Sequence, residues 1–182
     1  MVTPRLETLC TALAQVLIAR KLSMVTAESC TGGLIAASCT QLSGSSAWFE
    51  RGFVTYSNAA KSELLGVAPY LIEAQGAVSE EVAKAMALGA LAHSPAHISV
   101  AVTGIAGPSG GSAAKPVGTV WLAWAWRDLQ QNLHSETMLR QFEGTRSEVR
   151  DATAELALAH LTELVEKLVG KLLETTGKKI PT

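Results

Sequence analysis

Ser29 and Lys61 are the side chains whose types and surroundings could carry covalent chemistry. Ser29 stands where a predicted strand turns into a predicted helix, a corner that can expose a nucleophile beside backbone N–H groups able to hold an oxyanion. Lys61 follows Tyr56 and Asn58 in a second corner, where Asn58 is a good helix N-cap. That N-cap would place Lys61 at the third helical position, where the helix dipole disfavours the ammonium form. A lysine shifted in this direction can act as a base.

Each corner taken alone also fits a purely structural interpretation. Ser29 or Thr31 could simply cap a helix while the glycines permit a tight turn, because capping serines greatly outnumber catalytic ones. The second corner alone fits a surface lysine beside a packed tyrosine. Cys30 is a rival nucleophile, since a helix N-terminus can lower the pKa of a thiol. None of the four histidines lies in these loops to serve as its base, so Ser29 ranks above Cys30.

A third loop of small residues follows Thr103, with glycines at 104, 107, 110 and 111. Glycine allows the backbone to approach a phosphate or nucleotide closely. The spacing matches neither the dinucleotide fingerprint nor the P-loop pattern, so a structural glycine turn remains an equal alternative.

Local patterns predict alternating helices and strands over most of the chain. The predicted helices cover residues 6–20, 33–41, a segment capped by Asn58, 79–94 and 145–174, and the predicted strands cover residues 22–27, 53–56, 97–103, 117–126 and 134–142. This order predicts an α/β fold: a single three-layer domain with a mixed β-sheet and helices on both faces. The domain is expected to span residues 1–174, with residues 175–182 as a flexible C-terminal tail. All three loops follow predicted strands, so we expect their residues to share one crevice.

Composition narrows the function classes. The chain has 182 residues, a net charge of −1, 48% hydrophobic residues and 17% charged residues. Dispersed charge argues against nucleic-acid binding, and the lack of a long apolar run argues against a membrane span, so a small-molecule ligand is expected. Three cysteines without metal-ligand spacing and no apparent signal peptide predict a soluble cytoplasmic protein. Ser94 and Pro95, which lie between His93 and His97, should break a shared helix, and no carboxylate pattern completes a site, so no metal site is predicted.

Several ordered motifs between residues 6 and 165 together closely resemble the CinA C-terminal-domain family. These motifs are residues 26–33 (TAESCTGG), 52–58 (GFVTYSN), 76–79 (GAVS), 103–108 (TGIAGP) and 115–120 (KPVGTV). Stand-alone members of that family are amidohydrolases, which convert nicotinamide mononucleotide to nicotinate mononucleotide and ammonia in pyridine-nucleotide recycling. The resemblance therefore implies this activity, without a metal or other cofactor.

The resemblance also implies roles for individual residues. Ser29 would be the nucleophile, and Lys61 would accept its proton directly or through Tyr56. N–H groups of residues 31–33 would hold the oxyanion, while the loop after Thr103, with Arg146, would hold the ribose phosphate. The full set of expected substrate-binding residues is Glu28, Cys30, Thr31, Gly32, Gly33, Asn58, Thr103, Gly104, Gly107, Gly110, Gly111 and Arg146.

Two further interpretations stay open on sequence alone. The chain could be a catalytically silent nucleotide-binding module of the same fold, although it retains the serine, tyrosine and lysine together. It could also be a subunit-interaction protein that uses its amphipathic last helix, which would leave the three loops unexplained. A homo-oligomer, with a dimer favoured, is compatible with the enzyme.

Overall fold

The computed structural model describes residues 2–128 and 130–176, and several helices begin at capping residues. Thr3 caps the first helix and Pro4 opens it, and Ser79 accepts a hydrogen bond from the Val82 N–H at the start of a later one. In chain order the elements are α1 (Pro4–Ala19), β1 (Met24–Glu28), α2 (Leu34–Thr40), a short 3₁₀ helix (Ser45–Ala47), β2 (Phe49–Val54), α3 (Asn58–Leu65), α4 (Pro69–Gln75), α5 (Glu80–Ala92), β3 (Ile98–Gly104), β4 (Thr119–Arg127), β5 (Leu133–Gln141) and α6 (Arg146–Thr176).

The five strands form one mixed sheet in the order β2-β1-β3-β4-β5. Strand β1 pairs in parallel with β2 and β3, whereas β4 runs antiparallel to both β3 and β5. The carboxyl ends of β2, β1 and β3 therefore meet at one edge of the sheet. The predicted fold class, a mixed sheet in a three-layer α/β domain, is confirmed.

Helices cover both faces of the sheet with cores of different character. Val100 and Leu122 face the layer of α1, α2 and α6, which is filled by large aliphatic side chains and Trp124. Ala101 and Ala123 face the layer of α3, α4 and α5, where small residues allow helices to pack close to the sheet. Helices α3 and α5 approach each other closely at Gly89, where an added Cβ would clash with the Leu65 carbonyl oxygen.

Three local predictions need correction. Strand β2 begins at Phe49 and ends at Val54, earlier than the predicted residues 53–56. Ser57, not Asn58, caps α3, because its side chain accepts a hydrogen bond from the Ala60 N–H, so Lys61 is the fourth helical residue. Helix α4 was not predicted, since it is seven residues long and buries only Ile72.

At the C-terminus, helix α6 extends to Thr176, and residues 177–182 of the predicted tail lie outside the described residues. None of the helices in the described residues is long and apolar enough to cross a membrane.

Candidate active site

The loops that follow β1, β2 and β3 meet around a pocket of about 190 Å³. Two backbone hydrogen bonds tie the first two loops to neighbouring strands: Ser29 N–H donates to the Val102 carbonyl of β3 at 3.0 Å, and Thr55 N–H donates to the Glu28 carbonyl of β1 at 2.8 Å. The three corners that the sequence singled out therefore share one site. The pocket is lined by Ser29, Cys30, Tyr56, Asn58, Lys61, Ala77, Val78, Thr103, Gly104, Ala106 and Arg146.

The amine of Lys61 lies directly against the hydroxyl of Ser29. The Nζ atom is 3.1 Å from Ser29 Oγ, 2.9 Å from the Thr55 carbonyl oxygen and 3.4 Å from the Tyr56 carbonyl oxygen. A neutral amine has two N–H bonds and one lone pair. This geometry lets the two N–H bonds serve the two carbonyls and leaves the lone pair for the Ser29 hydroxyl.

Burial makes the neutral form of Lys61 easier to reach. The side chain is only 1% exposed, and the ion pairs found among the described residues do not include it. Desolvation lowers the pKa of Lys61, and the opposing effect of Cys30 arises only when that thiol is ionised. Because desolvation outweighs that opposing effect, the group is shifted towards a base that works nearer neutral pH.

Glu28 is a buried internal ligand of the first corner rather than part of the pocket lining. Its carboxylate accepts hydrogen bonds from the Thr31 hydroxyl and from the N–H groups of Gly33, Ile35 and Ala36, at 2.7 to 3.0 Å. It thus fills the anion site that the N-terminus of α2 offers. Thr31, Gly32 and Gly33 likewise lie outside the pocket lining and build the corner that presents Ser29.

This arrangement corrects the expected oxyanion donors. The Gly33 N–H is bound to Glu28, and the Gly32 N–H donates to the Ser29 carbonyl at 3.1 Å. Within the part of the chain that the structure describes, no oxygen acceptor meets the N–H groups of Cys30 and Thr31, which lie near the Cys30 sulfur. Of the expected donors at residues 31–33, only Thr31 remains available, with Cys30 beside it.

Cys30 lines the pocket, but its thiol does not have the chemistry of a nucleophile. Burial raises its pKa to about 12, with a smaller contribution from the negative charge of Glu28. The helix dipole was expected to lower the thiol pKa, and burial prevails because the side chain is only 5% exposed. At neutral pH Cys30 therefore lines the pocket as a protonated thiol.

Tyr56 and Arg146 meet at the mouth of the pocket. Arg146 donates to the Tyr56 hydroxyl at 3.1 Å and to the Gly107 carbonyl at 2.9 Å. The Tyr56 side chain is 62% exposed, and its backbone carbonyl is the part that contacts Lys61. Asn58, the first residue of α3, is exposed on the same rim.

Only the beginning of the third loop reaches the pocket. Thr103 and Gly104 line it, whereas Gly107 contributes a carbonyl to Arg146. Gly110 and Gly111 lie outside the lining, where added Cβ atoms would meet Ile105 and Val117 respectively.

Four contributors were missed by the sequence analysis as site residues. Ala77, Val78 and Ala106 line the pocket, and Arg150 holds the first corner by donating to the Thr31 carbonyl at 2.6 Å. The first two belong to the GAVS motif at residues 76–79, which was the available signal. Arg150 lies 119 residues from Thr31 and has no local signal. No cluster of three potential metal-ligating side chains occurs in the described ranges.

Comparison with known proteins places this arrangement in a family. A family model described as the CinA C-terminal domain matches residues 6–165. The chain belongs to the CinA C-terminal domain family. The resemblance inferred from the motifs is therefore confirmed.

Relatives within the CinA C-terminal domain family include named enzymes. The chain is 52% identical over 154 residues to nicotinamide-nucleotide amidohydrolase PncC of Enterobacter agglomerans, covering 85% of this chain and 92% of the relative. It is 52% identical over 159 residues to the protein of the same name from Pseudomonas putida, covering 87% and 96%. The solved structure of competence/damage inducible protein CihA from Agrobacterium tumefaciens is 45% identical, with a TM-score of 0.82 over 90% of this chain and 98% of that one.

Proposed function

We propose that this protein hydrolyses the carboxamide of nicotinamide mononucleotide, yielding nicotinate mononucleotide and ammonia in pyridine-nucleotide recycling. The observation that carries the proposal is the buried contact of 3.1 Å between Lys61 Nζ and Ser29 Oγ inside the pocket. This chain matches nearly the whole length of two relatives named nicotinamide-nucleotide amidohydrolase, which supports the choice of substrate.

The proposed reaction proceeds through an ester of Ser29. The neutral Lys61 amine takes the proton of the Ser29 hydroxyl as Oγ attacks the carboxamide carbon. The C–N bond then breaks, and the Lys61 ammonium returns that proton to the departing amine, which leaves as ammonia. A water molecule next attacks the nicotinoyl ester, giving its proton to Lys61, and the ester bond breaks to release nicotinate mononucleotide and restore the Ser29 hydroxyl.

The tetrahedral intermediates carry a negative oxygen that needs prearranged donors. We assign this role to the N–H groups of Cys30 and Thr31, because Glu28 and the Ser29 carbonyl engage those of Gly33 and Gly32. Glu28 and Arg150 contribute indirectly by fixing the loop that carries these donors.

The size of the pocket indicates how a nucleotide would lie. Ligand pockets commonly measure about 300–1,000 Å³, so a pocket of about 190 Å³ suits the pyridine carboxamide and not the whole nucleotide. The ribose phosphate would then extend over the rim. Arg146 lies on this rim with its guanidinium group held by Gly107 and Tyr56, which suits a phosphate.

Purified protein incubated with nicotinamide mononucleotide should release ammonia and nicotinate mononucleotide in equal amounts, measured by an ammonia assay and chromatography. Preincubation with EDTA should leave the rate unchanged, because a serine nucleophile with a lysine base needs no Lewis acid. Absence of both products would leave the silent nucleotide-binding module as the better description.

We further propose a cytoplasmic homo-oligomer, with a dimer favoured, acting on a small-molecule nucleotide rather than on nucleic acid or membranes. The three buried free thiols, Cys10, Cys30 and Cys39, support a reducing compartment. Sedimentation velocity tests the assembly, and a monomer at micromolar concentration would contradict it.

A further inference from the structure

Ala77 and Val78 form part of the pocket lining and belong to residues 75–78, here called the wall segment, which run from the last residue of α4 towards α5. All four of its carbonyls accept hydrogen bonds from side chains. Ser79 donates to the Gly76 carbonyl and Thr103 to the Ala77 carbonyl, each at 2.8 Å. Lys115 donates to the other two, at 3.1 Å for Gln75 and 2.7 Å for Val78. The wall segment is therefore held along its whole length by groups outside its own backbone.

Lys115 makes two of these four bonds from a distant part of the chain. It lies 40 residues from Gln75 and 37 from Val78, in the loop between β3 and β4. Ser112 fixes it there, because the Lys115 N–H donates to the Ser112 hydroxyl and the Lys115 carbonyl accepts from the Ser112 N–H. Lys115 does not line the pocket, so any effect on the ligand must act through the wall segment.

The bonds to the carbonyls also orient the N–H groups. In a trans peptide the C=O of one residue and the N–H of the next point in opposite directions. Ser79 and Thr103 bind the carbonyls of Gly76 and Ala77 and so set the directions of the Ala77 and Val78 N–H groups. Lys115 binds the carbonyls on either side of these two peptides and so holds both ends of the wall segment in place. Both residues line the pocket, and neither N–H meets a hydrogen-bond acceptor in the described parts of the chain.

We propose that Lys115 is a positioning residue of this active site: it holds the wall segment so that the N–H groups of Ala77 and Val78 donate to the bound nucleotide. The proposal rests on the function proposed above. Ser29 and Lys61 lie on other elements and share no hydrogen bond with Lys115, so the wall segment contributes to binding in the ground state and the transition state alike. Loss of such uniform binding raises KM and leaves kcat nearly unchanged.

The test compares Lys115→Met, which keeps most of the side-chain volume, with Lys115→Arg, which keeps the charge and at least two donors. The Lys115→Met variant should raise KM for nicotinamide mononucleotide about tenfold, while kcat changes less than about threefold. The Lys115→Arg variant should recover a substantial part of the lost affinity. Lys84→Met removes an exposed lysine on α5 and should change neither constant. An unchanged KM in Lys115→Met, or a loss confined to kcat, overturns the proposal.

A second measurement tests the anchor without relying on turnover. In the ligand-free protein, amide hydrogen exchange of a peptide covering residues 75–79 should be faster in Lys115→Met than in the wild type, and unchanged in Lys84→Met. If the wild type fails to hydrolyse nicotinamide mononucleotide, the proposed function fails while the exchange result still tests the anchor. Equal exchange in wild type and Lys115→Met contradicts the anchor itself. If Lys115→Met does not fold, Lys115→Gln, which retains one donor group, takes its place with the same expected directions.

Discussion

The corner after β1 and the loop after β3 look alike in sequence and behave differently in the structure. Both are rich in small residues, and both were predicted to bind a negatively charged group of the ligand. In the corner, the carboxylate of Glu28 fills the anion site with four hydrogen bonds. In the loop, Gly110 and Gly111 lie outside the pocket lining. Glycine spacing therefore indicates close backbone approach, and the approaching group can belong to the protein itself.

The substitution Ser29→Ala is the sharpest test of whether the corner after β1 presents the nucleophile. It should lower kcat for amide hydrolysis by about a thousandfold or more, because the attacking oxygen is removed. Cys30→Ala is the matched control, and it should keep activity within about tenfold, since the buried thiol stays protonated. Steady-state ammonia release measures both variants. Normal turnover in Ser29→Ala with an inactive Cys30→Ala would reverse the assignment.

Lys61 tests whether the corner depends on a base from a neighbouring helix. Lys61→Arg keeps a positive charge that cannot be removed, and Lys61→Met keeps the buried volume without a base, so both should lose about a hundredfold or more in kcat. If Lys61 only attracts the phosphate, the arginine variant should retain much of the activity.

The pH profile follows from the same group. Desolvation lowers the pKa of Lys61, and the neutral amine is the active base, so wild-type kcat/KM should rise as pH increases through that lowered pKa and then level off. Cys30→Ala should show the same rise, because the thiol pKa of about 12 lies above the assay range. A profile that falls over this range would exclude Lys61 as the base.

Glu28→Gln should mainly destabilise the folded corner, because Glu28 supports the loop and does not take part in the reaction itself. The amide keeps one oxygen acceptor but places an NH₂ group against backbone donors, so we expect a loss of about 3 kcal/mol in the free energy of unfolding. Activity should fall about tenfold, because the loop that carries Ser29 and its oxyanion donors loosens. Urea denaturation compares it with Glu63→Gln, an exposed residue on α3 that should be neutral. A fully stable Glu28→Gln would contradict the role of internal ligand.

The loop after β3 should respond least. Gly110 has a φ of +91°, which an L-residue rarely adopts, so Gly110→Ala should cost about 1 kcal/mol of stability. Because the residue lies outside the pocket lining, kcat/KM should stay within about threefold of wild type. A large loss of activity without a loss of stability would show that the loop contacts the substrate after all.

Much of the fold was accessible from local sequence. Capping residues and apolar spacing predicted α1, α5 and α6 closely, because these signals act within a few residues of the chain. The start of β2 was missed, since that strand has no uniformly buried face and its pattern is weak. The cap of α3 shifted by one residue because Ser57 and Asn58 are both good caps, and only the hydrogen bond to Ala60 distinguishes them.

The sequence by itself determined the family, the three strand-ending corners and the choice of Ser29, Tyr56 and Lys61 as residues to bring together. Tertiary structure decided what each of them touches. Parallel pairing of β1 with β2 and the packing of α3 at Gly89 bring Lys61 to Ser29 across 32 positions of the chain. The same packing buries the amine of Lys61, whereas the carboxylate of Glu28 has its hydrogen-bond partners inside the corner. Desolvation and hydrogen-bond partners depend on contacts between distant segments, and no local pattern of residues encodes those contacts.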